Sequence, residues 1–319
     1  MLSLAAQNLL SPAVAFFGLG VLASFARSDL SVPRSVAQLL ALYLLMSIGY
    51  RGGAEVAHQG LKPELLAALA GGIILSFLIP FVAYALLRVI SRLSRVDAAS
   101  IAAHYGSISA VTLVAITSSL TQLGVGFDGY MVAVAAAMET PAIFAALLIA
   151  RSGQARPSGG LLREIAFNGS IVVLLGSFVI GGITGERGLA MLKPFIMDSF
   201  AGLLCIFLLD MGLIAGRGLL QGWRLLSLPI IGFAALMPLI GAGLAAGMAI
   251  ALGLSPGSAA VLMTLAASAS YIAVPAAMRL ALPEANAALS LTLSLGLTFP
   301  FNLTLGIPLY IAVASAIAS

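Results

Sequence analysis

The chain has 319 residues, of which 61% are hydrophobic and only 8% are charged, and its formal net charge is +4. A soluble domain carries about 25% charged residues, because its surface must be hydrated. The composition therefore excludes a soluble globular protein. Three long stretches, 98–127, 225–278 and 285–319, contain no Asp, Glu, Lys or Arg. Since about 20 apolar residues span a bilayer as a helix, the sequence predicts a protein that crosses the membrane several times.

Apolar runs between charged, glycine and proline residues predict an all-α membrane protein with ten transmembrane helices. A β-barrel would show segments of about ten residues with alternating polarity, whereas the run 65–87 is apolar on all sides. The predicted helices lie near 12–26, 36–50, 64–90, 98–122, 129–150, 165–183, 194–216, 224–252, 257–280 and 284–316.

The basic residues indicate the orientation of these helices. With the N-terminus outside, 11 of the 15 Lys and Arg residues fall in cytoplasmic loops and four fall outside. Because cytoplasmic loops are enriched in Lys and Arg, we expect both termini to lie outside. The same placement accounts for the sequence pI of about 9.5, so no nucleic-acid partner is expected.

Three pairs of motifs match across the two halves of the chain, at shifts of 161, 159 and 163 residues. The pairs are HYGSISAVT (104–112) with LAASASYIAV (265–274), METP (138–141) with LTFP (297–300), and MSIGYRGG (46–53) with DMGLIAGR (210–217). Each half holds five predicted helices, and because five is odd, the second copy must cross the membrane in the opposite sense. The sequence therefore predicts inverted repeats over 1–151 and 165–319, joined by a cytoplasmic linker over 152–164. Inverted repeats are typical of secondary transporters, which bind substrate near the midplane.

The two Ser-x-Ser motifs predict breaks in the fourth and ninth helices. Gly106 costs about 1 kcal/mol relative to Ala in a helix interior, and Pro275 removes a backbone donor. A break exposes the N–H groups of a half-helix, where the macrodipole favours anions, so we expect a small oxyanion there. The alternative is that these serines only allow close helix packing. The predicted anion-binding residues are Ser107, Ser109, Ala110, Thr112, Ser268, Ser270 and Tyr271.

Glu139 lies in the middle of the fifth predicted helix, where a charge costs roughly 2.5–3.5 kcal/mol. Its carboxylate, beside hydroxyls and a carbonyl freed by Pro141, is suited to Na⁺ and could equally take up a proton. The alternative is a structural hydrogen bond to a neighbouring helix. Asp210 could bind an ion or pair with Arg217, and His104 could accept a proton or be an interface histidine. The predicted Na⁺ ligands are Ser107, Glu139, Asp210, Thr264, Ser268, Thr298 and Asn302.

Several functions lack their sequence signatures. The chain contains no GxxxxGK[ST] loop for nucleotide phosphates, so transport by this chain is expected to be driven by an ion gradient or to be passive. No nucleophile and base occur at helical spacing with a third orienting group, and the protein is not expected to be an enzyme.

Five stretches resemble, in order, the sodium-dependent bicarbonate transporter family known best from cyanobacteria. They are SPAVAFFGLGVLA (11–23), LALYLLMSIGYRGG (40–53), AAHYGSISAVT (102–112), GYMVAVAAAMETPAI (129–143) and LLDMGLIAG (208–216). The resemblance implies ten spans in two inverted sets of five, a gate and a core domain, a trimer, and inward transport of bicarbonate with Na⁺. It also places six residues at the substrate and sodium sites, namely Ser107, Ser109, Thr112, Glu139, Ser268 and Ser270.

The sequence departs from the family pattern in two places, which concern the regulatory partner and the residue next to Glu139. Cyanobacterial relatives are inhibited by a trimeric PII-like protein on the cytoplasmic face, but the linker over 152–164 is shorter than the family's usual segment. Thr140 stands where an apolar residue is usual. The high Ala, Gly and Arg content suggests a bacterium with a GC-rich genome. We therefore expect an inner-membrane Na⁺:bicarbonate symporter with elevator-like movement, and the alternatives are a Na⁺- or H⁺-coupled carrier of another small anion or a passive anion channel.

Overall fold

The computed structural model describes residues 12–59, 64–139, 141–150, 169–223, 226–271, 274, 275, 278 and 282–317. Within these residues the chain is helical, and no strand occurs. This confirms the predicted all-α class. The predicted linker over 152–164 and Thr140 lie outside the described residues.

The described helices are numbered in chain order. They are α1 (Pro12–Phe25), α2 (Arg34–Gln59), α3 (Glu64–Ile90), α4 (Arg95–Gly106), α5 (Ala110–Gln122), α6 (Met131–Ala137), α7 (Pro141–Ala150), α8 (Gly169–Lys193), α9 (Phe200–Gly222), α10 (Leu228–Leu252), α11 (Pro256–Ala267) and α12 (Ala287–Ile317). α12 includes π-helical turns over Thr292–Thr298 and Asn302–Gly306, and π-turns of this kind are frequent at functional sites.

The helix lengths and their apolarity indicate a multi-pass membrane protein. Within the described ranges, seven helical segments are long and apolar enough to cross a bilayer, while α1 and α11 are shorter apolar helices. The pairs α4–α5 and α6–α7 each form one such segment. The full set of ten spans stays a prediction.

α2 is longer than the sequence predicted. The predicted end near residue 50 reflects the charge of Arg51, but α2 continues through Arg51 and Glu55 to Gln59. These two residues are one turn apart, where opposite charges on a helix surface attract. Both line a cavity of about 300 Å³. A charge in this helix therefore marks a polar cavity and not the end of the helix.

Glycines allow two pairs of helices to cross at very short distance. A Cβ atom added to Gly53 of α2 would overlap the Phe178 carbonyl of α8, and one added to Gly212 of α9 would overlap the Phe17 carbonyl of α1. Each glycine belongs to a Gly-x-x-x-Gly spacing, which brings helix backbones together in membranes. The motifs involved are the pair that the sequence matched at a shift of 163 residues.

The order of these contacts gives the direction of the helices. Gly49 meets Leu174, and Gly53, one turn later, meets Phe178. α2 and α8 therefore run in the same direction across the membrane.

α4 and α11 are alike in length and in their first turns. Each has 12 residues, and each is capped by a serine, Ser94 or Ser255, whose hydroxyl accepts the N–H of the residue three positions later. The starts and ends of the two helices are 161 residues apart, which is the shift between the Ser-x-Ser motifs. Matched local sequences have therefore produced matched helices, and both end at the predicted breaks.

Candidate functional site

The candidate site is built where two helices lose their regular backbone. α4 ends at Gly106, and the extended residues Ser107 and Ser109 separate it from α5. α11 ends at Ala267 and is followed by Ser268, which is also extended. These findings confirm the two predicted breaks.

The first break has a packing cause as well as a local one. A Cβ atom at Gly106 would overlap the ring of Pro80 on α3 and would crowd Ala142 on α7. Only glycine fits between these two helices. The residue that weakens the helix is thus also the one that lets α3, α4 and α7 meet beside the break.

Direct hydrogen bonds join the two breaks. The Ser109 N–H donates to Ser268 Oγ over 2.9 Å, and the Ser270 N–H donates to the His104 carbonyl over 2.7 Å. Residues 104 and 109 of one segment thus meet residues 270 and 268 of the other in reverse order. The two segments run in opposite directions where they cross, and the structure brings together the serine motifs that the sequence had matched.

After each break, a serine hydroxyl accepts a backbone N–H from a residue further along the chain. The Ser109 hydroxyl accepts the Thr112 N–H over 3.2 Å at the start of α5. The Ser270 hydroxyl accepts the Val274 N–H over 3.4 Å. A helix N-terminus carries partial positive charge and N–H donors. Ala110, the first residue of α5, therefore lies where an anion is favoured.

Four buried polar atoms of residues close in sequence to breaks in the helices have no hydrogen-bond partner among the described residues. They are Ser107 Oγ, Tyr271 OH, Glu139 Oε2 and His104 Nε2. Such atoms are rare in folded proteins, and each one costs about 1–3 kcal/mol. Three of the four belong to residues that the sequence assigned to the anion or sodium site. Unsatisfied buried groups beside breaks in helices indicate a place for a ligand.

The Tyr271 side chain is held in place by its ring. The ring contacts Phe299 of α12 edge to face, with centroids 5.6 Å apart. Its hydroxyl faces the Ser109 side chain without forming a hydrogen bond of normal geometry. The hydroxyl is therefore available to donate to a ligand beside Ser109.

Glu139 lies in a third break, between α6 and α7. α6 ends at Ala137 and α7 begins at Pro141, and the Met138 carbonyl accepts the Ser76 hydroxyl over 2.6 Å. The Glu139 side chain is only 6% exposed. In the described part of the chain no three His, Cys, Asp or Glu side chains gather into a metal site. A cation here would rely on Glu139 and on neutral oxygens.

Two predicted sodium ligands on α12 are engaged with the protein. Asn302 Nδ2 donates to the Ala267 carbonyl over 2.8 Å, and Asn302 Oδ1 accepts the Tyr310 hydroxyl over 2.9 Å. Thr298 Oγ1 donates to the Ala234 carbonyl over 2.8 Å. Asn302 therefore fixes the last carbonyl of α11, directly before the second break.

Thr264 and Asp210 occupy different surroundings. The Thr264 hydroxyl, inside α11, donates to the Ala260 carbonyl over 2.7 Å. Asp210 lies on α9 and lines a cavity of about 680 Å³ together with Arg217. Among the described residues no basic group lies within 4.0 Å of the Asp210 carboxylate, although Arg217 acts on it electrostatically. Asp210 thus belongs to a separate cavity.

His104 has one engaged ring nitrogen. Its Nδ1 lies 2.7 Å from the Ser100 carbonyl, which can only accept, so Nδ1 carries the hydrogen. In the neutral ring Nε2 then presents a lone pair, and this atom is the unpartnered one. The His104 side chain is therefore bonded within its own helix through Nδ1 and has an available acceptor at Nε2.

Two aspartates that the sequence analysis did not assign fix the far ends of the broken helices. Asp128 Oδ2 accepts the Ser258 hydroxyl over 2.7 Å in the first turn of α11. Asp97 Oδ1 in α4 accepts the Asn286 N–H, before α12, over 2.8 Å. For Asp97, the sequence signal is the Ser94-x-x-Asp97 spacing, which is typical of a capped helix start. Both residues position the site from a distance.

The comparisons with known proteins give a match to a protein family. A family model described as the Na⁺-dependent bicarbonate transporter superfamily matches residues 12–315. The matched range includes all three breaks and every predicted site residue. No curated protein matches the chain at a significant level.

Proposed function

Because the chain belongs to the Na⁺-dependent bicarbonate transporter superfamily, we propose that it carries bicarbonate inward across the bacterial inner membrane together with Na⁺. The observation that carries this proposal is the crossing of two broken helices at Ser109 and Ser268. Unsatisfied buried hydroxyls lie at the same crossing. Together they supply donors for an anion without a basic side chain.

The proposed anion site suits a small planar oxyanion. Ser107 and Tyr271 have hydroxyl groups available as donors, and the start of α5 adds backbone N–H groups with a favourable dipole. Hydrogen bonds to an ionised acceptor are stronger than neutral ones. The proposed site comprises Ser107, Ser109, Ala110, Thr112, Ser268, Ser270 and Tyr271.

We place the coupling ion at Glu139. A buried carboxylate without a counter-charge is costly, and Na⁺ would remove that cost while offsetting the charge of the anion. The two ligands would then favour the same occupied state, which is how binding of one raises the affinity for the other. The further proposed Na⁺ ligands are Ser107, Thr264, Ser268, Thr298, Asn302 and, in its separate cavity, Asp210.

Two inverted repeats of five helices, over 1–151 and 165–319, form the proposed architecture. It is supported by the matched helices α4 and α11 and by the opposite directions of the segments that cross at the site. The glycine crossings support a gate made of α1, α2, α8 and α9. The remaining broken helices would form a core that moves past it in an elevator-like step. A homotrimer with both termini outside completes the proposal.

Proton coupling is the second candidate. Glu139 lies in a buried break. His104, which precedes Ser107 by three residues, has an unpartnered ring nitrogen. Either group could bind a proton, and the transported species could be another small anion. A channel is the uncoupled alternative, and accumulation against a gradient would exclude it.

Uptake of labelled bicarbonate into proteoliposomes tests the proposal. We expect uptake with an inward Na⁺ gradient, loss of uptake when K⁺ replaces Na⁺, and loss in Glu139→Gln. The matched control is Glu284→Gln, because Glu284 is exposed. Competition by acetate and sulfate identifies the anion. Uptake driven equally by a pH gradient without Na⁺ would favour the second candidate.

A further inference from the structure

A large cavity lies between α2, α9 and α12, away from the helix crossing. Its volume is about 680 Å³, and its polar lining includes Arg34, Gln38, Asp210, Arg217 and Thr292. Arg34 begins α2, and Arg217 lies near the end of α9. The cavity therefore opens at one face of the membrane, with two guanidinium groups at its mouth.

A second cavity, which is lined in part by the start of α5 at the candidate anion site, shares a lining residue with this one. The second cavity, of about 310 Å³, is lined by Gln38, Phe207, Ala110 and Val111 among other residues. Gln38 lines both cavities. Ala110 and Val111 are the first two residues of α5, directly after the first break. The two cavities therefore share Gln38, and one lies beside the first break while the other is lined by the two arginines.

The larger cavity is lined by basic groups that attract anions and by one carboxylate that attracts cations. The Arg217 guanidinium donates one N–H to the Leu30 carbonyl over 2.8 Å, which orients the group and uses one of its five donors. Asp210, which is buried, lies two turns deeper on the same helix. Guanidinium groups bind planar oxyanions through paired N–H donors, whereas a carboxylate favours a cation.

We infer that Arg34 and Arg217 form a second anion station, at which a small oxyanion such as bicarbonate is held between the helix crossing and the aqueous phase. The identity of the anion rests on the proposed function, but the station itself does not.

Cysteine modification of purified, detergent-solubilised protein tests the station without any transport. Gln38→Cys is made in a Cys205→Ala background, because Cys205 is the only native cysteine. The rates of an anionic and a cationic methanethiosulfonate reagent are compared, with bicarbonate or chloride added at equal ionic strength. The double variant Arg34→Gln/Arg217→Gln is the test, and Arg187→Gln, which removes an exposed arginine from α8, is the matched control.

The rate of cysteine modification by the anionic reagent, divided by the rate for the cationic reagent, should fall by about tenfold when both arginines are removed. Local charge changes the rates of charged reactants on that scale. Bicarbonate should protect the cysteine in the parent and in the Arg187→Gln control but not in the double variant. Arg217→Lys, which keeps the charge but loses the paired donors, should keep the rate ratio and weaken the protection.

An unchanged rate ratio in the double variant would contradict the proposed anion station. Equal protection with and without the arginines would also contradict it. The outcome is separable from that of the proposed function. Protection at Gln38→Cys with no Na⁺-dependent uptake by the parent protein would uphold the anion station and reject the symporter. Na⁺-dependent uptake by the parent protein without protection at Gln38→Cys would uphold the symporter and reject the anion station.

Discussion

The backbone N–H of Ser109 donates to the hydroxyl of Ser268, 159 positions later in the chain, over 2.9 Å. The same hydroxyl donates to the Leu265 carbonyl over 2.7 Å, so it satisfies one group from each broken helix. Both bonds are buried. Ser268 therefore stabilises the crossing on which the anion site depends.

Ser268→Ala should weaken both the fold and substrate binding. The Ser109 N–H loses its acceptor, and an unsatisfied buried donor costs about 1–3 kcal/mol. We expect a lower melting temperature in detergent and a KM for bicarbonate raised by about tenfold, which corresponds to about 1.4 kcal/mol. The control is Ser315→Ala, since Ser315 is exposed and bonds only within its own helix. Equal effects of the two substitutions would contradict the role given to Ser268.

The glycine crossing of α1 and α9 predicts a large effect from a small substitution. Gly212→Ala places a methyl group against the Phe17 carbonyl, and the two helices must separate. We expect a reduced melting temperature and reduced uptake. Gly202→Ala on the same helix meets nothing within 4 Å and should be neutral or slightly stabilising, because Ala is the better helix former. A Gly212→Ala protein as stable as Gly202→Ala would show that the close crossing is not needed.

Asn302 holds the end of α11 in position, so we predict that its substitution affects the site. Asn302→Leu removes the bonds to the Ala267 carbonyl and the Tyr310 hydroxyl, so the end of α11 loses its anchor. The apparent affinity for Na⁺ should fall, as measured by the Na⁺ dependence of uptake. Thr304→Val is the control, because the Thr304 hydroxyl bonds only to Pro300 in its own helix. An unchanged Na⁺ dependence in Asn302→Leu would remove Asn302 from the site.

The parts of the structure that depend on local chemistry were predictable from the sequence. Continuous apolar sequence located α3, whose ends at Glu64 and Ile90 match the predicted 64–90. The glycine and serines around 106–109 located the first break, because local backbone cost and capping decide it. The matched break after Ala267 followed from the repeat.

The rest depends on contacts between residues far apart in sequence. Nothing near Asn302 indicates that its amide meets Ala267, and nothing near Asp128 indicates that it binds Ser258. The sequence places the end of α2 too early, because the charge of Arg51 is typical of a helix boundary, whereas Arg51 lines a neighbouring cavity that accommodates its charge. Such bonds and cavities arise only when the helices are assembled.

The coupling between Na⁺ and bicarbonate is tested most directly by equilibrium binding to the purified protein. Bicarbonate affinity is measured by calorimetry with Na⁺ and with K⁺, for the parent protein and for Glu139→Gln. We predict that Na⁺ tightens bicarbonate binding about tenfold in the parent, which is a typical coupling between two sites, and that bicarbonate tightens Na⁺ binding by the same factor. Glu139→Gln should abolish both effects. A bicarbonate affinity that is the same in Na⁺ and K⁺, or a coupling that survives in Glu139→Gln, would contradict the account.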